Sequence, residues 1–197
     1  EELTRAVETG VNIIIDNYQE LLNIIQISKT SSLKPIVLFR VKPNIEAHTH
    51  EYIKTGQEDS KFGLPIEEIY DYIQQAQAFP IQIVGIHAHI GSQIFNMTPF
   101  GDLIEKLIHF IIEIKQRFNI QLDQLNIGGG AGIKYIPSDA PFNITDYIHA
   151  VVNKIKQQVQ HYNMPLPKLI LEPGRSIVGN AGVTLYKVGA TKQIKGI

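Results

Sequence analysis

Short apolar runs rich in β-branched residues alternate along this chain with longer segments in which apolar residues recur every three or four positions. The short runs are Val11 to Ile15, Ile36 to Val41, Ile81 to Ile90, Leu122 to Ile127 and Lys168 to Glu172, each of strand length. The segment after Pro99 carries Leu103, Leu107, Ile111 and Ile114 on one helical stripe, and Ile148, Val151, Ile155 and Val159 repeat the pattern behind an N-capping Asn143. Pro65 suits a first helical turn, with Ile66, Ile69 and Ile73 on the buried face of the helix that follows. Strand and helix alternating at this pitch predict parallel β/α units.

Five strands and four connecting helices are expected, preceded by a helix from Glu1 to Thr9 with no strand before it. A complete eight-unit barrel takes about 250 residues. Five units in 197 residues therefore predict a partial (β/α)8 TIM barrel whose first three strands lie outside this sequence. Five of eight strands leave two unpaired edges, so the chain by itself is expected to associate. An open doubly wound sheet is the alternative that the pattern allows. One connection is long: the 22 residues from Lys42 to Gly63 are polar, lack helical period and include His48, His50, Glu51, Lys54, Glu58, Asp59 and Lys61. A loop of that length is either a solvated excursion or functional.

Composition narrows the function classes. Hydrophobic residues make up 44% of the chain, and 18 basic against 19 acidic side chains leave a net charge of −1. No basic excess exists to attract a phosphate backbone, which argues against nucleic acid as a partner. No run of about 18 apolar residues predicts a membrane span. Glu1-Glu2-Leu3-Thr4-Arg5 lacks a secretory pattern, so the expected location is cytoplasmic. With no cysteine, disulfides, thiolate metal sites and cysteine nucleophiles are excluded within these residues. Two Asn-x-Thr triplets, at Asn96 and Asn143, are read as accidental.

Chemistry concentrates where strands end. Gly128-Gly129-Gly130 follows Leu125-Asn126-Ile127, and glycines there let backbone N–H groups converge on an anion. In β/α barrels, phosphate sites form from loops after late strands. A turn needing only flexibility is the other reading. Glu172-Pro173-Gly174-Arg175 closes the last strand, where carboxylate and guanidinium either face a ligand or pair with each other. Strand period puts His87 and His89 on one face, with Val84, Ile86 and Ala88 turned toward covering helices. Two inward histidines also suit a metal-dependent hydrolase, with His48 and His50 as a second pair and Glu172 as the one evident carboxylate.

Taken together, His87-Ala88-His89-Ile90-Gly91-Ser92-Gln93-Ile94, Asn126-Ile127-Gly128-Gly129-Gly130 and Glu172-Pro173-Gly174-Arg175-Ser176-Ile177-Val178 resemble the diaminopimelate decarboxylase family. His48 to Gly56, followed by Asp59-Ser60-Lys61-Phe62-Gly63, is similar to that family's loop. Related ornithine and arginine decarboxylases share the glycine run and Glu-Pro-Gly-Arg, while the Ser-Gln-Ile and Ser-Ile-Val continuations favour the diaminopimelate branch. The resemblance implies a pyridoxal 5'-phosphate enzyme that decarboxylates meso-diaminopimelate to lysine. It implies that Gly128, Gly129, Gly130, Ser92, Gly174 and Arg175 hold the phosphate and that His89 stacks on the ring. Glu172 then pairs with the ring nitrogen, Arg40 lies near the ring, and Arg175 also binds a carboxylate of the amino-acid substrate. Lys61 resembles a residue at the interface of the family's homodimer. A non-catalytic cofactor-binding relative remains the further alternative.

Two departures from the family stand out. Its cofactor is attached through a lysine at the end of the first barrel strand, in a Tyr-Ala-x-Lys-Ala-type motif that is absent here, since Lys34 precedes the Ile36 to Val41 run and Lys42 follows it, later in the barrel than that first strand. The C-terminal β-domain is also missing. Residues 1–182 are therefore expected to form a partial cofactor-binding barrel, and residues 183–197 to begin the second domain with a strand near Val183 to Val188. These residues alone are not expected to turn over substrate.

Overall fold

The computed structural model describes residues 1–45, 61–141 and 143–193. His48, His50 and the greater part of the loop motif lie outside the described residues. Helix α1 (Glu2–Thr9) ends on Gly10 in the left-handed conformation and leads into β1 (Asn12–Ile15). Helix α2 (Tyr18–Thr30) starts at Asn17, whose side chain accepts the Glu20 N–H, and is followed by β2 (Ile36–Arg40). Helix α3 (Ile66–Gln77) begins behind Pro65 and precedes β3 (Gln82–His87). Helix α4 (Thr98–Phe118) leads to β4 (Gln124–Asn126). Helix α5 (Ile144–His161) starts at Asn143, whose side chain accepts the Thr145 N–H as expected of a cap, and β5 (Lys168–Ile170) precedes the short α6 (Arg175–Val178). Both Asn-x-Thr asparagines serve the backbone, since Asn96 Oδ1 accepts the Thr98 N–H at 2.9 Å.

All strand pairs are parallel, and the order across the sheet is β1-β2-β3-β4-β5. A doubly wound sheet reverses its order at a switch point. Strict chain order is the winding of a barrel. Curvature is visible in one contact: Asn12 Nδ2 donates to Gln124 Oε1 at 2.6 Å. These residues lie on β1 and β4, about 14 Å apart across a flat sheet at normal strand spacing. Two amide side chains meet over that gap only when the sheet curls. The described strands form an α/β segment of a (β/α) barrel, open at β1 and β5.

The core lies between the convex sheet face and α2 to α5. Leu103, Leu107, Ile111 and Ile114 of α4 are buried against Phe39, Ile86 and Leu125 of the sheet's core, together with Ile69, Ile73, Val151 and Ile155. The alternation in β3 departs from the simple strand period. Val37 pairs with Ile83 but Leu38 with Gly85, so Val84 is surplus. This bulge reverses parity once. Ile83, rather than the expected Val84, joins Ile86 and Ala88 in the helix-side core. Gly85 makes the tight pairing possible, because a Cβ there would stand 2.3 Å from the Gln124 carbonyl oxygen.

Strands are also shorter than the apolar runs. β3 stops at His87 and β5 at Ile170, because the chain beyond each turns into the loops that form the site. Residues 182–193 contain no strand, correcting the expectation near Val183 to Val188. Val183 is 89% exposed and pairs with no described strand, and a strand needs such a partner to form its ladder. Gly85→Ala is expected to lower stability by about 1–3 kcal/mol through overpacking. A urea midpoint unchanged from the parent would contradict the tight β3–β4 pairing.

Candidate functional site

The C-terminal ends of β3, β4 and β5 meet around a cavity of about 430 Å³. His89 and Ser92 line it from the loop after β3, and Gly128, Gly129 and Gly130 from the loop after β4. Glu172, Gly174 and Arg175 line it from the loop after β5, and Ile144, Tyr147 and Ile148 of α5 form an apolar wall. Eight of the expected site residues thus come together, and Arg40 stands apart. The glycine run has a packing cause. A Cβ on Gly128 would lie 2.8 Å from the Ala88 carbonyl oxygen, one on Gly129 2.4 Å from that of Glu172, and one on Gly130 2.4 Å from that of Gly91. Gly128 and Gly130 also have positive φ, at 68° and 109°. Flexibility is therefore not what the run supplies. It is a close backbone seam joining three loops, stitched by Glu172 N–H to the Gly128 carbonyl at 2.8 Å.

The seam leaves donors unused. The N–H groups of Gly130, Ala131, Gly174 and Ser176 belong to cavity-lining residues and make no hydrogen bond to the described residues. With the Ser92 hydroxyl they form a donor set suited to a phosphate.

Glu172 is oriented by a residue to which the sequence reading assigned no role. Buried Asn126 donates from Nδ2 to Glu172 Oε1 at 2.7 Å and accepts the Gly128 N–H on Oδ1 at 2.9 Å. The side chain thus locks the carboxylate to the glycine run. The available signal is an amide set between Leu125 and Ile127 where the strand meets the glycine run, since a buried amide requires partners. His87, only 3% exposed, places Nε2 3.4 Å from Glu172 Oε2, yet neither ring nitrogen has a hydrogen-bond partner among the described residues. Burial pushes its pKa down to about 4, opposed by Glu172 and helped by Arg40 and His89. His87 lies beside the carboxylate and does not line the cavity.

His89 is held differently. The Gly129 N–H donates to its Nδ1 at 3.3 Å, which leaves the ring proton on Nε2. Burial, then the Arg40 charge, lowers its pKa, against the pull of Glu172. Both histidines are neutral at pH 7. Arg40 sits outside the cavity lining, with Nη1 3.4 Å from Asp16 Oδ1 and its guanidinium 4.7 Å from the Phe62 ring centroid. Asp16 also accepts the Gly63 N–H at 2.7 Å and so ties the end of the long connection to β1. Its signal was a charge directly after Ile13-Ile14-Ile15. Lys61 is exposed, 4.8 Å from the Phe62 ring. Among the described residues no lysine lines the cavity, and no three His, Asp or Glu side chains gather as metal ligands.

A parallel barrel segment with a glycine seam, unused N–H donors and an oriented carboxylate at one cavity has the make-up of a cofactor-binding class. The chain belongs to the family described as pyridoxal-dependent decarboxylase, pyridoxal binding domain, whose pattern matches residues 1–179. Its relatives include diaminopimelate decarboxylases of Halalkalibacterium halodurans, 38% identical, and Bacillus methanolicus, 41% identical. Each alignment takes in 100% of this chain and 46% of the relative, so the chain spans about half the length of the curated relatives it matches. The crystal structure of diaminopimelate decarboxylase from Helicobacter pylori complexed with L-lysine superposes with a TM-score of 0.78. That match has 28% identity over 89% of this chain and 43% of the other.

The pH dependence follows from His87. Its depressed folded-state pKa means that the unfolded state takes up the proton first as pH falls. Stability is full above about 6.5 and is lost toward about 4. His87→Gln is expected to flatten this part of the melting-temperature profile, and an identical slope in parent and variant would contradict a buried neutral ring.

Proposed function

We propose that this chain forms the pyridoxal-phosphate-binding half of a diaminopimelate decarboxylase, an enzyme that removes carbon dioxide from meso-diaminopimelate to leave lysine. The observation that carries the reading is the joining of the glycine seam, the unpaired amides and the oriented Glu172 around one cavity, in a chain of the pyridoxal-binding family. The residues present suit the group. Gly130, Ala131, Gly174 and Ser176 offer free N–H donors for its phosphate, with Ser92 and Arg175 beside them, and Glu172 offers an acceptor for its ring nitrogen. Bound there, pyridoxal phosphate supplies the electron sink for the pair left on carbon when carbon dioxide departs.

The chain's own residues do the rest. Glu172, aimed by Asn126, retains a proton at the ring nitrogen, and neutral His87 beside it adds no competing charge. His89, fixed by the Gly129 N–H and lining the cavity, would stack its ring on the cofactor when that is bound. Arg40, braced by Asp16, contributes positive charge near both histidines. Arg175 offers a planar fork to a substrate carboxylate. Ile144, Tyr147 and Ile148 exclude water from one side. The family's attachment lysine has no counterpart among the described residues that line the cavity, and the Tyr-Ala-x-Lys-Ala-type motif is absent from the sequence, so the 197-residue polypeptide alone is expected to be inactive.

We further read the complete enzyme as a cytoplasmic homodimer with Lys61 near its interface. The family resemblance of the loop supports this, as does the exposure of Lys61. No described helix is long and apolar enough to cross a membrane.

The complete protein, purified with pyridoxal phosphate, is expected to release carbon dioxide from meso-diaminopimelate. Release from ornithine or arginine in its place would overturn the substrate assignment. Glu172→Gln is expected to lower kcat on the order of 100-fold while the bound cofactor's absorbance persists. A variant with parental kcat would remove Glu172 from its role.

A further inference from the structure

Arg175 does not hang free in the cavity. Its Nε donates to Ser92 Oγ at 2.6 Å and its Nη1 to the Tyr135 hydroxyl at 3.1 Å. The guanidinium also lies 5.9 Å from the Tyr135 ring centroid. Ser92 and Tyr135 belong to different loops, so two independent anchors define the plane of one fork. Nη2 donates to no described residue. The outer Nη1–Nη2 edge, the one that binds a carboxylate with two parallel hydrogen bonds, is left available.

Tyr135 is itself held. Gln93 spends both ends of its amide on one residue: Oε1 accepts the Ile133 N–H at 2.9 Å, and Nε2 donates to the Ile133 carbonyl at 3.1 Å. The neighbouring backbone continues the seam, with Ile94 N–H to the Gly130 carbonyl at 3.0 Å and Gly132 N–H to the Ile94 carbonyl at 2.9 Å. On the other side, the Asp139 carboxylate accepts the N–H groups of Tyr135 and Ile136 at 2.9 and 3.0 Å. Gln93 adopts φ 56°, a left-handed conformation uncommon for its type. The Tyr135 hydroxyl fits because position 179 is glycine: a Cβ there would stand 2.9 Å from it. An exposed loop tip is thus fastened before and after the one side chain that reaches Arg175.

We propose that Tyr135, held in place by Gln93 through Ile133, is a positioning residue that sets the Arg175 fork for the substrate carboxylate that is not lost. The inference rests on the reading of Arg175 as the carboxylate ligand. Tyr135 touches Arg175 and not the reacting atoms, so its effect belongs in recognition rather than in bond breaking. Only an amino acid with a second carboxylate, remote from the departing one, profits from a fork fixed in this way.

The test uses the complete holoenzyme. Tyr135→Phe deletes one oxygen and keeps the ring against the guanidinium. It is expected to raise KM for diaminopimelate about five- to tenfold with kcat within about twofold. Calorimetry is expected to show the same loss in affinity for lysine, which retains the carboxylate, with cofactor absorbance and melting temperature unchanged. Gln93→Leu is expected to act likewise in the parent and to add nothing in the Tyr135→Phe background.

Parental KM and lysine affinity in Tyr135→Phe, beside a weakened Arg175→Lys enzyme, would overturn the proposal and leave the reading of Arg175 intact. Parental KM and lysine affinity in Arg175→Lys would overturn both. Equal Gln93→Leu effects in the two backgrounds would show that Gln93 does not act through Tyr135.

Discussion

The carbonyl oxygens of Ala88, Gly91 and Glu172 occupy the places where side chains at positions 128, 130 and 129 would stand. Everything at the site depends on this close approach. It brings the loops after β3, β4 and β5 into one rim, and it lets the Glu172 N–H reach the Gly128 carbonyl. It also puts the Gly129 N–H on His89 and the Gly128 N–H on Asn126. An alanine would press on Ala88 and His89 at position 128, on the Glu172 carbonyl at 129 and on the Gly91 carbonyl at 130. The seam between the loops and the aim of His89 and Glu172 are thus two results of the same three missing side chains.

Electrostatics builds on that rim. Burial keeps His87 and His89 neutral, and the nearby Arg40 charge reinforces the effect. Arg40 is in turn compensated by Asp16, which sits at the end of β1 and receives the Gly63 N–H. Positive charge is therefore supplied from the side, by a residue anchored outside the cavity, while the carboxylate beside the histidines is directed by a neutral amide. The arrangement separates a cation, two neutral rings and one anion without an intervening metal ligand set among the described residues.

Most of the architecture was legible in the chain because burial on both faces leaves continuous apolar runs, and helices leave three- and four-residue spacing. Leu103 through Ile114 and the Asn143 cap fall where the pattern puts them. The reading failed where a rule depends on an unseen neighbour. Val84 was assigned to the helix side because alternation carries no mark of a bulge, and the bulge is set by pairing with β2. The run from Val183 to Val188 has strand composition but no described strand to pair with. At the site, the glycines, Glu172, His89 and Arg175 stand out in the sequence by residue type, and the structure brings them to one cavity. Asn126, Asp16, Gln93 and Tyr135 do not stand out, because they acquire meaning only from what they touch.

The surplus residue in β3 divides that strand into two stretches of opposite parity. Upstream, Gln82 and Ile83 take their phase from β2. Downstream, Gly85 to His87 pair both with Leu38 to Arg40 of β2 and with Gln124 to Asn126, the strand that continues into the glycine seam. The facing of His87 beside Glu172 is thus set three positions upstream, where the strand changes step.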